Sequence, residues 1–254
     1  MGTLETARTA VLRSAVRVYS VLYVRTATDL GESPERPASD LTARARIRDA
    51  AVECFAEDGF GASVRTIAAR AGVSPGLVTH HFGTKDALRA ECDDEVLRRY
   101  KDVKTDAVAR PTDHLLESLT QPGVAASLLV YILRVIHDGG APARNVLDRL
   151  VDDTRAIMAD GVARGMIRPS RDEEARLRYL TYQTMGALLI EFTTGPATTP
   201  AEFVATLRSG ATQGILPTLE LFTEGLLTSR ELLDGYLGFL WEPPNDGAAP
   251  ASDA

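Results

Sequence analysis

At 254 residues, rich in Ala, Leu, Arg and Glu, the chain can hold a small domain and a larger helical one around a sizeable core. Its 28 Lys and Arg against 35 Asp and Glu leave a net charge of -7, which excludes a protein basic throughout; any contact with nucleic acid must come from a local patch. Two cysteines are too few for a disulfide framework.

Taken in chain order, the first element is the least regular. Leu4, Val11, Ala15, Val18 and Leu22 lie roughly on one helical face, but Arg8, Arg13, Arg17 and Arg25 interrupt the apolar run. It is neither a signal-peptide core nor a membrane span, and reads as an amphipathic helix. GESPERPASD follows as a linker ending near Asp40. Residues 1–40 are therefore an N-terminal extension: a helix docked on the body, an arm touching DNA or membrane, or residues upstream of the true start codon.

From 41 to 88 the reading is a three-helix DNA-binding domain. A first helix ends at Phe55, before the turn Asp58, Gly59, Phe60. Ser63 can cap a second, whose apolar positions Val64, Ile67, Ala68 and Ala71 have helical spacing and whose end is marked by Gly72. Val73 plugs the turn. Ser74 and Pro75 then start another helix, because proline at the first helical position loses no needed hydrogen bond. Gly83 breaks that helix after about His81, and Thr84 caps the next one, opening at Lys85. Two short helices around a glycine turn make a helix-turn-helix, in which the second enters a major groove while the first braces it.

The charge follows the same division. Between Leu41 and Arg89 the cations Arg44, Arg46, Arg48, Arg65, Arg70, Lys85 and Arg89 outnumber the acids Asp49, Glu53, Glu57, Asp58 and Asp86, so the acidic excess lies outside this segment. A basic reading head on an acidic body would resist unspecific binding along DNA.

Beyond it, residues 89–240 read as a helical regulatory and dimerisation domain. The helix from Lys85 presents Leu88, Cys92, Val96, Tyr100 and Val103 as an inward stripe until Pro111 stops it. Further helices are expected at Asp113 to Thr120, Val124 to His137, Ala143 to Ala163, Asp172 to Thr193 and Ala201 to Phe222, the last with kink positions at Gly210, Gly214 and Pro217. A final helix from Ser229 to Leu240 precedes residues 241–254, whose composition is that of a disordered tail. The expected fold class is all-α throughout.

The run from Ile47 to Leu88 resembles the DNA-binding domain of the TetR family of bacterial repressors along its whole length. The resemblance rests on Phe55, Asp58, Gly59 and Phe60; on Ile67, Ala68, Ala71, Gly72, Val73, Ser74 and Gly76; and on His81, Phe82, Lys85 and Leu88. Thr79 departs from it, standing where the family usually carries a phosphate-touching tyrosine, as does Leu77, where threonine is common. The resemblance implies that the segments 172–192 and 203–222 form a four-helix bundle with a second copy, Leu177, Leu180, Thr184, Ala187, Leu188 and Glu191 supplying a mixed face. It also implies a small-molecule effector inside the body, whose occupancy pulls the linking helix.

Candidate site residues divide by role. Ser74, Pro75, Gly76, Leu77, Thr79 and His80 lie on the exposed side or leading end of the recognition helix and are the base-reading candidates; Leu77 could meet a thymine methyl. Arg65 and Thr66, Arg44 and Arg46 at the domain entrance, and Lys85 at a helix N-terminus are placed to hold phosphates. Tyr131, Arg134, His137, Met158, Tyr182, Gln183 and Met185 are the polar-tipped or adaptable residues that could line an effector cavity.

Other chemistries find little here. His80 and His81 point about 100 degrees apart on a helix and cannot easily share an ion, and His114 and His137 have no ligand-spaced partner, so no metal and no cofactor is expected. Cys54 and Cys92 fall on apolar stripes as buried thiols, which suits a reducing, cytoplasmic and nucleoid-associated protein. No nucleophile elbow, phosphate loop or dinucleotide fingerprint occurs, so no catalytic residue is expected. The reading is a homodimeric, ligand-responsive repressor on a palindromic double-stranded DNA operator. Two alternatives stand behind it: a DNA-associated subunit of a larger assembly that recruits a protein partner, and a small-molecule enzyme with a vestigial head.

Overall fold

The computed structural model describes residues 43–109, 125–197 and 199–241. The expected helices within residues 1–40 and 113–120, the tail after Trp241 and the side chain of Val103 lie outside the described residues. Among those described, every regular element is a helix: α1 (Ala43–Asp58), α2 (Val64–Ala71), α3 (Pro75–Phe82), α4 (Lys85–Ala109), α5 (Ala125–Asp138), α6 (Gly140–Ala163), α7 (Glu173–Thr194), α8 (Pro200–Thr223) and α9 (Glu231–Trp241). None of them is long and apolar enough to cross a membrane.

Local chemistry sets most of the boundaries. Asp172 caps α7, its carboxylate accepting the Ala175 N–H at 2.8 Å. Thr199 and Glu202 form a reciprocal box at the start of α8: the Thr199 hydroxyl accepts from Glu202 N–H at 3.2 Å, and the Glu202 carboxylate accepts from Thr199 N–H at 3.1 Å. Pro200 then occupies the first helical position, where its missing donor costs nothing. α6 starts at Gly140, earlier than the expected Ala143, because Pro142 in a first turn is no obstacle.

The chain divides into two compact units, the first ending at Thr212 and the second beginning at Gln213. In the first, α1 packs on α2, α4 and α5, while α5 packs on α4, α6 and α7. One apolar cluster runs through these elements, from Ile47 and Phe55 of α1 through Ile67, Val78, Leu88 and Leu97 to Leu129, Leu133, Leu150, Leu188 and Phe203. The small head therefore shares its core with the body, and α4 passes unbroken from one to the other. A second cluster joins Val151 and Met158 of α6 to Leu177 of α7. In the second unit, α9 carries exposed Leu232, Leu233, Tyr236, Phe239 and Leu240.

The packing corrects one expected surface. Leu177, Thr184 and Leu188 were expected on the outward, pairing face of the 172–192 helix, but all three are buried within the chain. The outward face of α7 instead carries Tyr179, Tyr182 and Ile190, with Gly186 at the same helical register. The reason is that α7 packs on both α5 and α6, and these contacts take the more apolar of its sides inward.

Candidate nucleic-acid interface

Each turn of the head is closed by the group its sequence supplies. The Ser63 hydroxyl accepts the Thr66 N–H at 3.0 Å and starts α2. Gly72 ends it at φ 66°, with its N–H on Ala69 O at 3.2 Å and the Val73 N–H on Ala68 O at 3.0 Å, a left-handed closure that a side chain would strain. Two residues later the Ser74 hydroxyl accepts from Leu77 N–H at 3.3 Å and Pro75 opens α3. Gly83 closes α3, its N–H on Thr79 O at 2.8 Å, and Thr84 caps α4 through the Ala87 N–H at 3.1 Å.

Burial then sorts the residues of α3. Val78 and Phe82 are buried in the shared core, and Leu77 packs half-buried against it. Ser74, Pro75, Gly76, Thr79 and His80 are exposed. Thr79 returns its hydroxyl to Pro75 O at 3.3 Å, and the His80 and His81 rings meet edge-on at 5.5 Å. A row of small or polar groups with no Cβ at Gly76 thus faces outward from a helix pinned on its other side.

The flanking cations have different surroundings. Arg46 and Arg65 are exposed, as is Thr66, whose hydroxyl lies 2.8 Å from that of Ser63. Lys85 is half-buried, its ammonium 6.0 Å above the Phe55 ring. Arg44 is engaged inside the chain: it pairs with Glu91 of α4, donates to the His81 carbonyl at the end of α3 and stacks over Phe82 at 4.5 Å. Its charge therefore helps to seat the recognition helix on α4.

Five further cations, none of them among the candidate DNA contacts, hold the head together. Arg70 of α2 pairs with Glu53 at 3.7 Å and Glu57 at 2.5 Å, both on α1. Between α1 and α4, Glu95 lies among Arg48, Arg98 and Arg99, at 3.2, 2.8 and 2.6 Å, while Arg99 also reaches Asp49. Burial pushes the Glu95 carboxyl up, but hydrogen bonds from Arg98 and Arg99 with the charges of Arg99 and Arg48 outweigh it and bring it down to about 2. The i, i+3 and i, i+4 spacing of Arg98 and Arg99 from Glu95 was legible in the sequence; the link to α1, through Arg99 to Asp49 and Arg48 to Glu95, was not.

The last is Arg134, one of the effector candidates. Its guanidinium donates to Ala56 O at 2.9 Å and Glu57 O at 2.8 Å, capping the end of α1 from α5. The other effector candidates are scattered. Tyr131 is buried and donates to Asp93 Oδ1 at 2.7 Å; burial raises that carboxyl, against the opposing hydrogen bond and the charge of Arg89. Met185 lies in the main core and Met158 in the smaller cluster. His137, Tyr182 and Gln183 are exposed. Cys54 and Cys92 are free and buried, and burial pushes both thiols up.

Comparison with known proteins matches the two parts separately. Residues 47–92 match the family model described as bacterial regulatory proteins, tetR family, and residues 125–228 that of the tetracyclin repressor-like C-terminal domain. Over 202 residues, 79% of this chain and 94% of the relative, the sequence is 38% identical to the HTH-type transcriptional regulatory protein RaaS of Mycobacterium tuberculosis. Over 62 residues, 21% of this chain and 33% of the relative, it is 52% identical to the HTH-type transcriptional repressor Rv3405c of the same organism. A crystal structure of the TetR family transcriptional regulator PfmR from Thermus thermophilus covers 74% of this chain and 100% of its own, at 20% identity and a TM-score of 0.42.

Proposed function

Because this chain belongs to the TetR family of bacterial transcriptional regulators, we propose that it acts as a repressor, binding a palindromic operator as a homodimer and releasing it when a small molecule occupies the helical body. What carries the reading is the two-sided character of α3: Val78 and Phe82 anchor it, while Pro75, Gly76, Thr79 and His80 face outward. In this reading Thr79 and His80 read base edges, and Gly76 admits the backbone close to the duplex. Arg46, Arg65, Thr66 and Lys85 hold phosphates. Arg44 supports them by seating α3, and Leu77 acts from its half-buried position at the rim.

A single eight-residue helix reads few base pairs, so specificity requires two copies on half-sites about 34 to 36 Å apart. The outward face of α7, with Tyr179, Tyr182 and Ile190 around Gly186, is the pairing surface in this reading; no atom lies within 4 Å of where a Cβ on Gly186 would stand, which leaves room for another helix. For the effector, the candidates the reading retains are Tyr131 and Met185, which are buried in one cluster, while Met158 lies in another. An effector acts only through its differential affinity for the DNA-bound and released states. The relatives are transcriptional regulators, and the reading assigns no catalysis and a cytoplasmic, nucleoid-associated place of work.

Selection of random duplex DNA by the purified full-length protein at near-physiological salt tests this directly. A two-fold symmetric motif with half-sites about one helical turn apart is the expected result. Recovery of a single asymmetric half-site would remove the homodimer from the reading, and no enrichment would remove the operator.

A further inference from the structure

The last carbonyls of a helix have no partner of their own and must find one outside it. At the end of α1, Gly59 takes the Phe55 carbonyl at 3.0 Å, but the next two, of Ala56 and Glu57, are both held by Arg134 of α5. A planar guanidinium suits this, since its Nε and Nη2 donors lie side by side and its charge stands at the negative end of the helix dipole. Gly59, at φ 78°, leaves the space: a Cβ there would stand 3.3 Å from Arg134 Nη1.

The same arginine is connected on both sides. Its Cζ lies 5.5 Å from the Phe192 ring near the end of α7, and Phe192 in turn meets Phe203 of α8 edge-on at 5.5 Å. On the other side, Glu57 offers its carbonyl to Arg134 and its carboxylate to Arg70 of α2. A short path of direct contacts therefore runs from α8 and α7 through Arg134 and Glu57 to the helix that braces α3. The covalent connection through α4 is separate from it.

We propose that Arg134 is a positioning residue for DNA reading, setting the orientation of the α1–α3 head against the body by clamping the C-terminal end of α1. The proposal rests on the reading of α2 and α3 as the DNA-reading head. α4 and the apolar packing of α1 on α5 keep the head against the body, but apolar contact is non-directional. The clamp fixes the end of α1 by two directed hydrogen bonds and so narrows the angle at which the head sits. Its loss broadens the range of head orientations without altering any residue that faces DNA, so two half-sites at fixed spacing are read less well while each half-site is read as before.

Full-length protein with Ala69→Cys and Ala156→Cys, exposed positions on the head and the body, can be spin-labelled selectively because Cys54 and Cys92 are buried. Label-to-label distance distributions are compared with Arg134 intact, Arg134→Met and Arg134→Lys, the last keeping the charge without the two-pronged geometry. Expected is a broader distribution for Arg134→Met, an intermediate one for Arg134→Lys, and helix content and melting close to the parent. On DNA, unlabelled Arg134→Met loses about tenfold affinity for the selected two-site duplex and tolerates half-sites moved by one base pair, while binding to an isolated half-site keeps its strength. An unchanged distance distribution, or equal loss on one and two half-sites, overturns the proposal. If the parent selects no DNA motif, the operator reading falls, and the distance distributions still decide whether Arg134 orients the head.

Discussion

Lys85 and His80 stand on adjoining helices, yet in the proposed reading they meet DNA differently. A phosphate contact contributes equally to every sequence and releases a counterion, whereas a base contact separates one sequence from another. Lys85→Ala is therefore expected to weaken binding to all duplexes alike and to reduce the slope of log affinity against log salt by roughly one unit. Thr79→Ala or His80→Ala should instead change the selected motif; if both kinds of substitution lower all affinities in parallel, the division of roles is wrong. Glu95 gives a residue-scale prediction independent of DNA. Its carboxyl is held at about 2, below the ordinary 4.5, so the folded state binds fewer protons than the unfolded one and the stability it contributes is complete above 4.5. That contribution is lost as pH falls from about 4.5 to about 2, and melting curves across this window should be flatter for Glu95→Gln.

At the scale of elements, most of the head was legible in sequence because its signals act over three or four residues. Ser63, Ser74 and Thr84 cap the helices they precede, and Gly72 and Gly83 close the helices before them. Gly72→Ala isolates one such signal: no atom lies within 4 Å of the added Cβ, so the cost comes from the backbone at φ 66° alone. Urea unfolding should show a loss of about 1 kcal/mol, and a loss near zero would mean that the turn relaxes into another shape. Arg44 shows where local reasoning ends. Its place at the domain entrance suggested phosphate, but its guanidinium lies on His81 and Glu91, 37 and 47 residues away. Arg134 is a stronger case, since the carbonyls it caps lie 78 and 77 residues earlier.

For the whole molecule, the proposed operator reading needs two copies held at a fixed separation. Ile190 is 63% exposed on the outward face of α7, with Tyr179 and Tyr182 beside it. A charge at the centre of an apolar contact is costly when it has no partner. Ile190→Glu should therefore shift the mass measured by sedimentation from dimer toward monomer and lower affinity for a two-site operator, while leaving the melting of the monomer near its parent value. Leu188→Glu is the contrasting change: Leu188 is buried inside the chain, so its substitution should unfold the body rather than only separate two copies. A dimer unaffected by Ile190→Glu would move the pairing surface away from this face of α7.

By itself, the sequence determined the all-helical class, the order of the described helices, the capped turns and the outward row of Pro75, Gly76, Thr79 and His80. Each depends on residues close together in the chain, whose hydrogen bonds and periodicity form before distant contacts matter. The tertiary structure decided which mixed face of α7 turns inward, where Arg44, Arg70 and Arg134 spend their charge, and how Glu95 joins α1 to α4. Those outcomes depend on which helices become neighbours, and a long charged side chain carries no local mark of the partner that packing will bring within its reach.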